Sequence, residues 1–397
     1  MRCAMARMTM KPPSLTRPPG AVPDTDRSGP PEPADALTQH IAQAVREQGG
    51  WIGFDTFMAL ALYTPGLGYY SGDLPKFGPM PGAPGATHGS DFVTAPEMSP
   101  LFGYALARQV AQALQATGTE EVWEFGAGTG ALAEQVLSAL REMQVPLARY
   151  TIVDLSGALR ERQQSRLAPF GAQVQWVSSL PDAMRGVVLG NELIDAIPVQ
   201  LLVRVAGSWH ERGVAWAQDA LVWADRPTAL RPPAEIDGQH DYLTEIHPQS
   251  EAFVRTLAQR LERGAVLLLD YGFPETEYYH PQRHMGTVMC HQSHRSDTNP
   301  LVGVGQKDIT AHVNFSALAL AAQDAGLAVL GYTNQAHFLI NCGLVELMQA
   351  ATLPVRAAAQ RLILEHEMGE LFKVIALGVG EPWQPLGFAQ GDRTHRL

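Results

Sequence analysis

Cysteine is scarce. Cys3, Cys290 and Cys342 are the only three in 397 residues, and none stands near another. That spacing excludes a disulfide framework and a CxxC metal pair, and it suits a reducing compartment. Long apolar runs are missing too: no stretch approaches the ~18 uninterrupted apolar residues of a membrane-spanning helix. Positive charge is in short supply, with 29 Lys and Arg against 40 Asp and Glu and a formal net charge of −11. An acidic surface repels phosphate backbones, so nucleic acid is a poor partner and a basic protein segment a better one. The start, Met1 to Thr16, lacks the apolar core of a secretory signal. A cytoplasmic location is expected. Arg2, Arg7 and Arg17 without early acids leave a mitochondrial presequence, and hence the matrix, as the alternative.

Apolar residues are plentiful, at 46% of the chain, enough for a large core. Residues 1–34 are rich in proline and read as a disordered leader. Residues 35–118 form an expected helical and loop cap. Leu37, Ile41 and Val45 recur on one helix face over 36–48, and Gly49-Gly50 ends that helix. A second helix is expected over 54–62. Glycine and proline crowd residues 69–88, a long loop. Thr94-Ala95-Pro96-Glu97 has the spacing of a capping box and is expected to open a helix through Leu114.

From Val122 strands and helices alternate, with strands expected at 121–125, 150–154, 173–177, 186–190 and 265–270. Such alternation predicts a mostly parallel sheet covered on both faces, an α/β fold. This domain is expected to run over 119–380, followed by a tail at 381–397. Two insertions interrupt it. Residues 200–250 begin with a β-meander turning at Gly207 and Gly213, in which Trp209, Trp216 and Trp223 read as core. Residues 272–313 look irregular. A helix at 315–325 and strands near 327–333 and 371–377 complete the pattern.

The first chemical motif follows the strand at Val122. Glu124-Phe125-Gly126-Ala127-Gly128-Thr129-Gly130 leads from a strand into a helix N-terminus, where bare glycine backbone lets a ligand approach amide N–H groups. Gly126, Gly128 and Ala131 also satisfy a dinucleotide fingerprint. Glu124 favours the alternative, because a carboxylate there suits the cationic amino end of S-adenosylmethionine. Asp154, ending the next strand, can accept ribose hydroxyls in either fold.

The second motif is Asn191-Glu192-Leu193-Ile194-Asp195-Ala196-Ile197-Pro198, at the carboxyl end of a buried strand, the edge where open α/β sheets bind ligands. Glu192 and Asp195 can hold a guanidinium between them, orient it and help remove its proton. The competing reading makes Asn191 or Asp195 a helix cap and leaves Glu192 merely solvated. Tyr271, after the fifth strand, either lines the substrate cleft or packs. His312 is positioned by a turn or is a satisfied structural histidine. His291 and His294 lack the companions a metal site needs, so no metal is expected.

Several blocks together resemble the MidA-like methyltransferases, the group that includes the mitochondrial complex I assembly arginine methyltransferase. They are Gly68-Tyr69-Tyr70, Ser90 to Glu97, Glu124 to Gly130, Gly190 to Pro198, Asp270-Tyr271-Gly272 and Asp308 to Phe315. The resemblance spans about residues 35–380. It implies a class I, Rossmann-like methyltransferase sheet of seven strands, S-adenosylmethionine as cofactor, and a protein substrate such as a respiratory-complex or other assembly client. On this basis Glu124, Gly126, Gly128, Gly130, Asp154, Asp91, Thr94 and Asn191 are expected to bind the cofactor. Glu192, Asp195, Tyr271 and His312 are expected to act on an arginine acceptor. The sequence departs from the family pattern at Ser90, Tyr104 and His291, and in its longer loop before Ser90. Two other classes remain open on sequence alone: an assembly protein that binds the cofactor without turnover, and a nicotinamide-dependent oxidoreductase.

Overall fold

The computed structural model describes residues 33–72, 93–154, 157–292 and 295–397. Residues 1–32 of the expected leader, most of the loop before Ser90, Ser90 itself, Asp91 and His294 lie outside these residues. The alternating segments form the sheet that their apolar runs predict. Its strands are β1 (Glu121–Phe125), β2 (Arg149–Val153), β3 (Val174–Val177), β4 (Met184–Asn191), β5 (Leu261–Phe273), β6 (Ala328–Asn334) and β7 (Phe372–Gly378). Their spatial order is β3-β2-β1-β4-β5-β7-β6. β7 runs antiparallel to both neighbours, and the other pairings are parallel. Val187, Val188 and Leu189 of β4 are fully buried, as are Val266 to Leu268 of β5. A strand covered on both faces needs such a run, since no side chain reaches water.

The chain first builds outward from β1 through β2 to β3, then returns to place β4 on the other side of β1. The carboxyl ends of β1 and β4 therefore flank the point where strand order reverses. There the loops leave in opposite directions and open a crevice. The glycine turn follows β1 and the acidic turn follows β4, so topology alone brings the two motifs together.

The helices of the N-terminal segment behave differently from one another. Pro33–Glu47 buries Leu37, Ile41 and Val45 and ends at Gly49, whose φ of 77° only glycine adopts at little cost. This helix and Phe54–Tyr63 share a core with Leu201, Val214, Leu221, Ile309 and Ala311. The cap and the two insertions thus form one packed unit around a second, five-stranded sheet. Helix Leu101–Thr117 instead packs into the core of the main sheet through Phe102, Leu106 and Val110. The expected boundary at residue 118 therefore falls within a shared core.

Three further expectations are corrected. The Thr94 capping box does not form: the helix it opens is the four-residue Ala95–Met98, and Thr94 makes no side-chain cap bond. Ser99-Pro100 separates it from Leu101–Thr117, because proline removes an amide donor. Gly213 is no turn. It lies inside strand Ser208–Ala217, where a Cβ would stand 2.2 Å from the Ile52 carbonyl and 2.5 Å from the Trp51 ring. The second meander turn is Gln218-Asp219, with φ of 51° and 58°. Of the meander tryptophans, Trp209 and Trp216 are partly buried and pack against core clusters as expected, whereas Trp223 is 36% exposed with Arg212 over its ring.

Residues 272–313 are ordered by a hub that sequence periodicity cannot show. Fully buried Glu245 accepts the amides of Thr287 (2.7 Å) and Val288 (3.2 Å) and the Tyr278 hydroxyl (2.9 Å). Beyond it Met289–Gln292, Arg295–Asp297 and Asp308–Thr310 form a small sheet. The tail at 381–397 is integral. Phe388 is buried, and Arg393 pairs with Glu370 through both guanidinium nitrogens. Among the described residues no helix is long and apolar enough to cross a membrane.

Candidate active site

A cavity of about 420 Å³ occupies the crevice between the carboxyl ends of β1 and β4. Its floor is the glycine turn. Gly126, Gly128 and Gly130 have φ of 65°, 53° and 82°, a conformation that a side chain would strain. A Cβ on Gly128 would meet no atom within 4 Å and would project into open space. Gly130 caps helix Ala131–Glu142, whose first amides are unspent donors near the turn.

Glu124 lines the cavity yet is only 2% exposed, and its Oε2 accepts the Tyr150 hydroxyl at 2.6 Å. Burial pushes its pKa up to about 7, against the pull of that hydrogen bond, and the nearby Asp154 charge raises it further. Asp154 also lines the cavity, at the end of β2. The buried Gln163 donates to Asp154 Oδ2 (2.8 Å) and to the Gly128 carbonyl (2.9 Å), while Trp176 donates to its Oε1 (2.9 Å). Gln163 thus ties the glycine turn to the acid after β2. It lies in a helix of low amphipathic character, and no sequence signal marked it.

The opposite wall is the acidic turn. Asn191, Glu192, Leu193 and Ala196 line the cavity. Glu192 has φ of 49°, a left-handed conformation that is costly for a residue with a side chain. The other described non-glycine residues with positive φ sit in the meander's hairpin turns or just past a helix end. Asp270 explains how the turn is held. Its Oδ2 accepts the amides of Leu193 (3.1 Å), Ile194 (2.8 Å) and Asp195 (3.1 Å), and its Oδ1 accepts that of Tyr271 (2.9 Å). Glu192 Oε1 accepts from the Ala95 amide (3.3 Å) and Asn191 Nδ2 (3.1 Å), and buried Asn191 Oδ1 has no partner. Burial and the neighbouring Asp195 charge push the Glu192 pKa up to about 8.

Asp195 lies behind Glu192, 5% exposed, with Oδ1 unpartnered. Burial drives its pKa up to about 6, offset by the Tyr271 hydroxyl beside it. Tyr271 and His312 do not reach the cavity wall. They pack edge to face at 5.3 Å, with Phe372 and Phe273 alongside. Burial and the charges of Arg283 and Lys373 lower the His312 pKa to about 4, so the ring is neutral. Two tyrosines take the place expected of these residues. Tyr63 and Tyr70 line the cavity, stacked at 5.6 Å; Tyr63 donates to the Ala196 carbonyl (2.9 Å) and Tyr70 to the Asp308 carboxylate (2.9 and 3.0 Å). Thr94 also lines the cavity.

Among the described residues lining the cavity, four are acids, Glu97, Glu124, Asp154 and Glu192, and none is Lys, Arg or His. A guest with net positive charge fits that wall. The sulfonium nucleoside expected from sequence carries two cationic centres and one carboxylate, and apolar Phe125, Leu159, Leu180 and Phe253 offer room for its base.

Comparison with known proteins agrees. Residues 105–333 match the family described as "Putative S-adenosyl-L-methionine-dependent methyltransferase". A Burkholderia thailandensis protein solved with S-adenosyl-homocysteine bound is 48% identical, with a TM-score of 0.87 over 92% of this chain and 97% of that one. The human mitochondrial protein arginine methyltransferase NDUFAF7 is 28% identical, covering 92% of this chain and 87% of its own. A Caenorhabditis elegans homologue of that enzyme is 27% identical over 79% of this chain and 78% of its own. The dinucleotide reading of the glycine turn is therefore set aside, and S-adenosylmethionine is the cofactor. The chain belongs to the MidA-like family of S-adenosylmethionine-dependent methyltransferases.

Proposed function

We propose that this methyltransferase acts on a guanidinium nitrogen of a protein arginine. The observation that carries the reading is Glu192. Its left-handed backbone is strained, it is anchored through the Asp270-bound turn, and it faces the cavity beside a second buried carboxyl, Asp195. Burial raises the pKa values of both carboxyls, and the Asp195 charge raises that of Glu192 further. A guanidinium would supply that charge, and its planar fork matches paired carboxylate oxygens. The arginine relatives support the same acceptor by their names.

In this reading Glu124, Asp154, Thr94, Asn191 and the turn from Gly126 to Gly130 hold the cofactor, which supplies the methyl group. Glu192 would accept two of the acceptor's N–H bonds and so orient the guanidinium, its remaining nitrogen turned toward the cofactor, whose sulfur would keep the electrons of the broken bond to the methyl group. Glu192 then takes the proton that the nitrogen sheds once alkylated. Asp195 keeps the local field negative and so favours the cation. Tyr63 and Tyr70 present ring faces to the planar group. Tyr271 hydrogen-bonds Asp195 and His312 packs against Tyr271, both behind the turn.

The test is transfer of a radiolabelled methyl group from the cofactor into protein extract from cells lacking this chain, followed by mass spectrometry of the labelled peptide. Methylarginine is the expected product. Label confined to another residue type, or no label with cofactor bound, overturns the acceptor assignment.

A further inference from the structure

The carboxylate of Glu97 abandons the cap position its sequence spacing predicts and reaches across to the glycine turn instead. The Thr129 hydroxyl donates to Glu97 Oε1 in a short hydrogen bond. Arg166 donates through one guanidinium nitrogen to both, at 3.1 Å to Glu97 and 2.6 Å to Thr129, while its Nε lies 3.6 Å from Glu134. The three residues come from three segments: the short helix Ala95–Met98, the turn after β1, and helix Gly157–Leu167. Glu97 keeps only 13% of its side-chain surface, so the ion pair is partly shielded and its hydrogen bonds are charge-assisted. A second link runs beside it, because Gln135 donates from the helix below the turn to the Pro96 carbonyl at 2.7 Å.

We propose that Glu97, Thr129 and Arg166 form a clamp by which the N-terminal segment completes the cofactor site, making them positioning residues for S-adenosylmethionine. The turn's backbone bonds, from the Gly126 amide to the Val153 carbonyl (3.4 Å) and from the Gly130 amide to the Ala127 carbonyl (2.8 Å), tie it to β2 and to itself, while the Thr129 side chain ties it to the N-terminal segment. Gln163 fixes one side of the turn and the clamp fixes the other. Thr94, Pro96 and Glu97 line the same cavity as Thr129, so the clamp sets both the floor and one wall.

Calorimetry with S-adenosylhomocysteine on the full chain tests this without any acceptor. Thr129→Val and Glu97→Gln should each weaken binding about tenfold, and the double variant should be little worse than either, as expected of one coupled network. Thr129→Ser, which keeps the hydroxyl, should bind like the unchanged protein. Hydrogen exchange at residues 93–98 should slow on ligand binding in the unchanged protein and in Thr129→Ser, but not in Thr129→Val. Circular dichroism and melting of the ligand-free variants identify any that fail to fold; Thr129→Ser against Thr129→Val then decides alone. Affinities within twofold for Thr129→Val and Glu97→Gln, or equal loss in Thr129→Ser and Thr129→Val, overturn the clamp.

Discussion

Glycine and glutamate divide the work at the residue scale. Gly128 supplies a bare, left-handed backbone facing open space, so a side chain there both strains the turn and enters the cavity. Gly128→Val should cost at least about tenfold in S-adenosylhomocysteine affinity by calorimetry, and an unchanged affinity would contradict the placement of the cofactor. Glu192 supplies a carboxyl that is neutral near pH 7 until a cation reaches it, because its pKa stands at about 8. On the proposed reading transfer requires the carboxylate, so the rate at low acceptor concentration should rise with pH through about 8. In Asp195→Asn one neighbouring negative charge is gone, and the midpoint should move down. A flat profile from pH 6 to 9 would show that Glu192 does not titrate in the rate-limiting step.

Elements were legible in the sequence where periodicity carried the information. The apolar runs of β1 to β5 and the stripe Leu37, Ile41, Val45 appear where read, since burial on two faces or on one stripe leaves a direct mark in composition. Contacts made by single polar side chains left no such mark. Glu245 orders residues 272–313 from 33 to 43 positions away, through Tyr278, Thr287 and Val288. Glu97 had a local candidate partner three residues back, the Thr94 amide, and takes instead the Thr129 hydroxyl 32 residues on, a choice that only folding makes. In the site, the two halves were readable because both follow strands at the sheet's carboxyl edge. Tyr63, Tyr70 and Gln163 were not, since their roles depend on how the second sheet and helix Gly157–Leu167 dock. Gly213 shows the reverse error: a turn-forming residue is there to let Trp51 approach the strand. Gly213→Val should destabilise the protein by about 1–3 kcal/mol in chemical denaturation, through overpacking against Trp51 and Ile52. Unchanged stability would mean the first helices pack elsewhere.

For the whole molecule, the same acidic cavity links function to stability. Glu124 and Glu192 keep protons in the folded state up to about pH 7 and 8, against 4.5 ordinarily. The folded form therefore binds more protons than the unfolded chain between these values. Stability from these groups is complete below about pH 4.5 and is lost as pH rises through 7 to 8. The melting temperature of the cofactor-free protein should fall across that window, and Glu124→Gln with Glu192→Gln should flatten the fall. An equal slope in the double variant would place the titration elsewhere. Saturating S-adenosylhomocysteine should raise the melting temperature, since it binds the folded state alone.

On the proposed reading, one cavity has a cofactor half at the glycine turn and an acceptor half at Glu192. The most direct measurement is the single-turnover rate of methyl transfer by Glu192→Gln, saturated with cofactor, on a protein the unchanged chain methylates. The account predicts a rate at least about 100-fold lower with S-adenosylhomocysteine affinity unchanged. An undiminished rate, or a loss explained entirely by weaker cofactor binding, would contradict it.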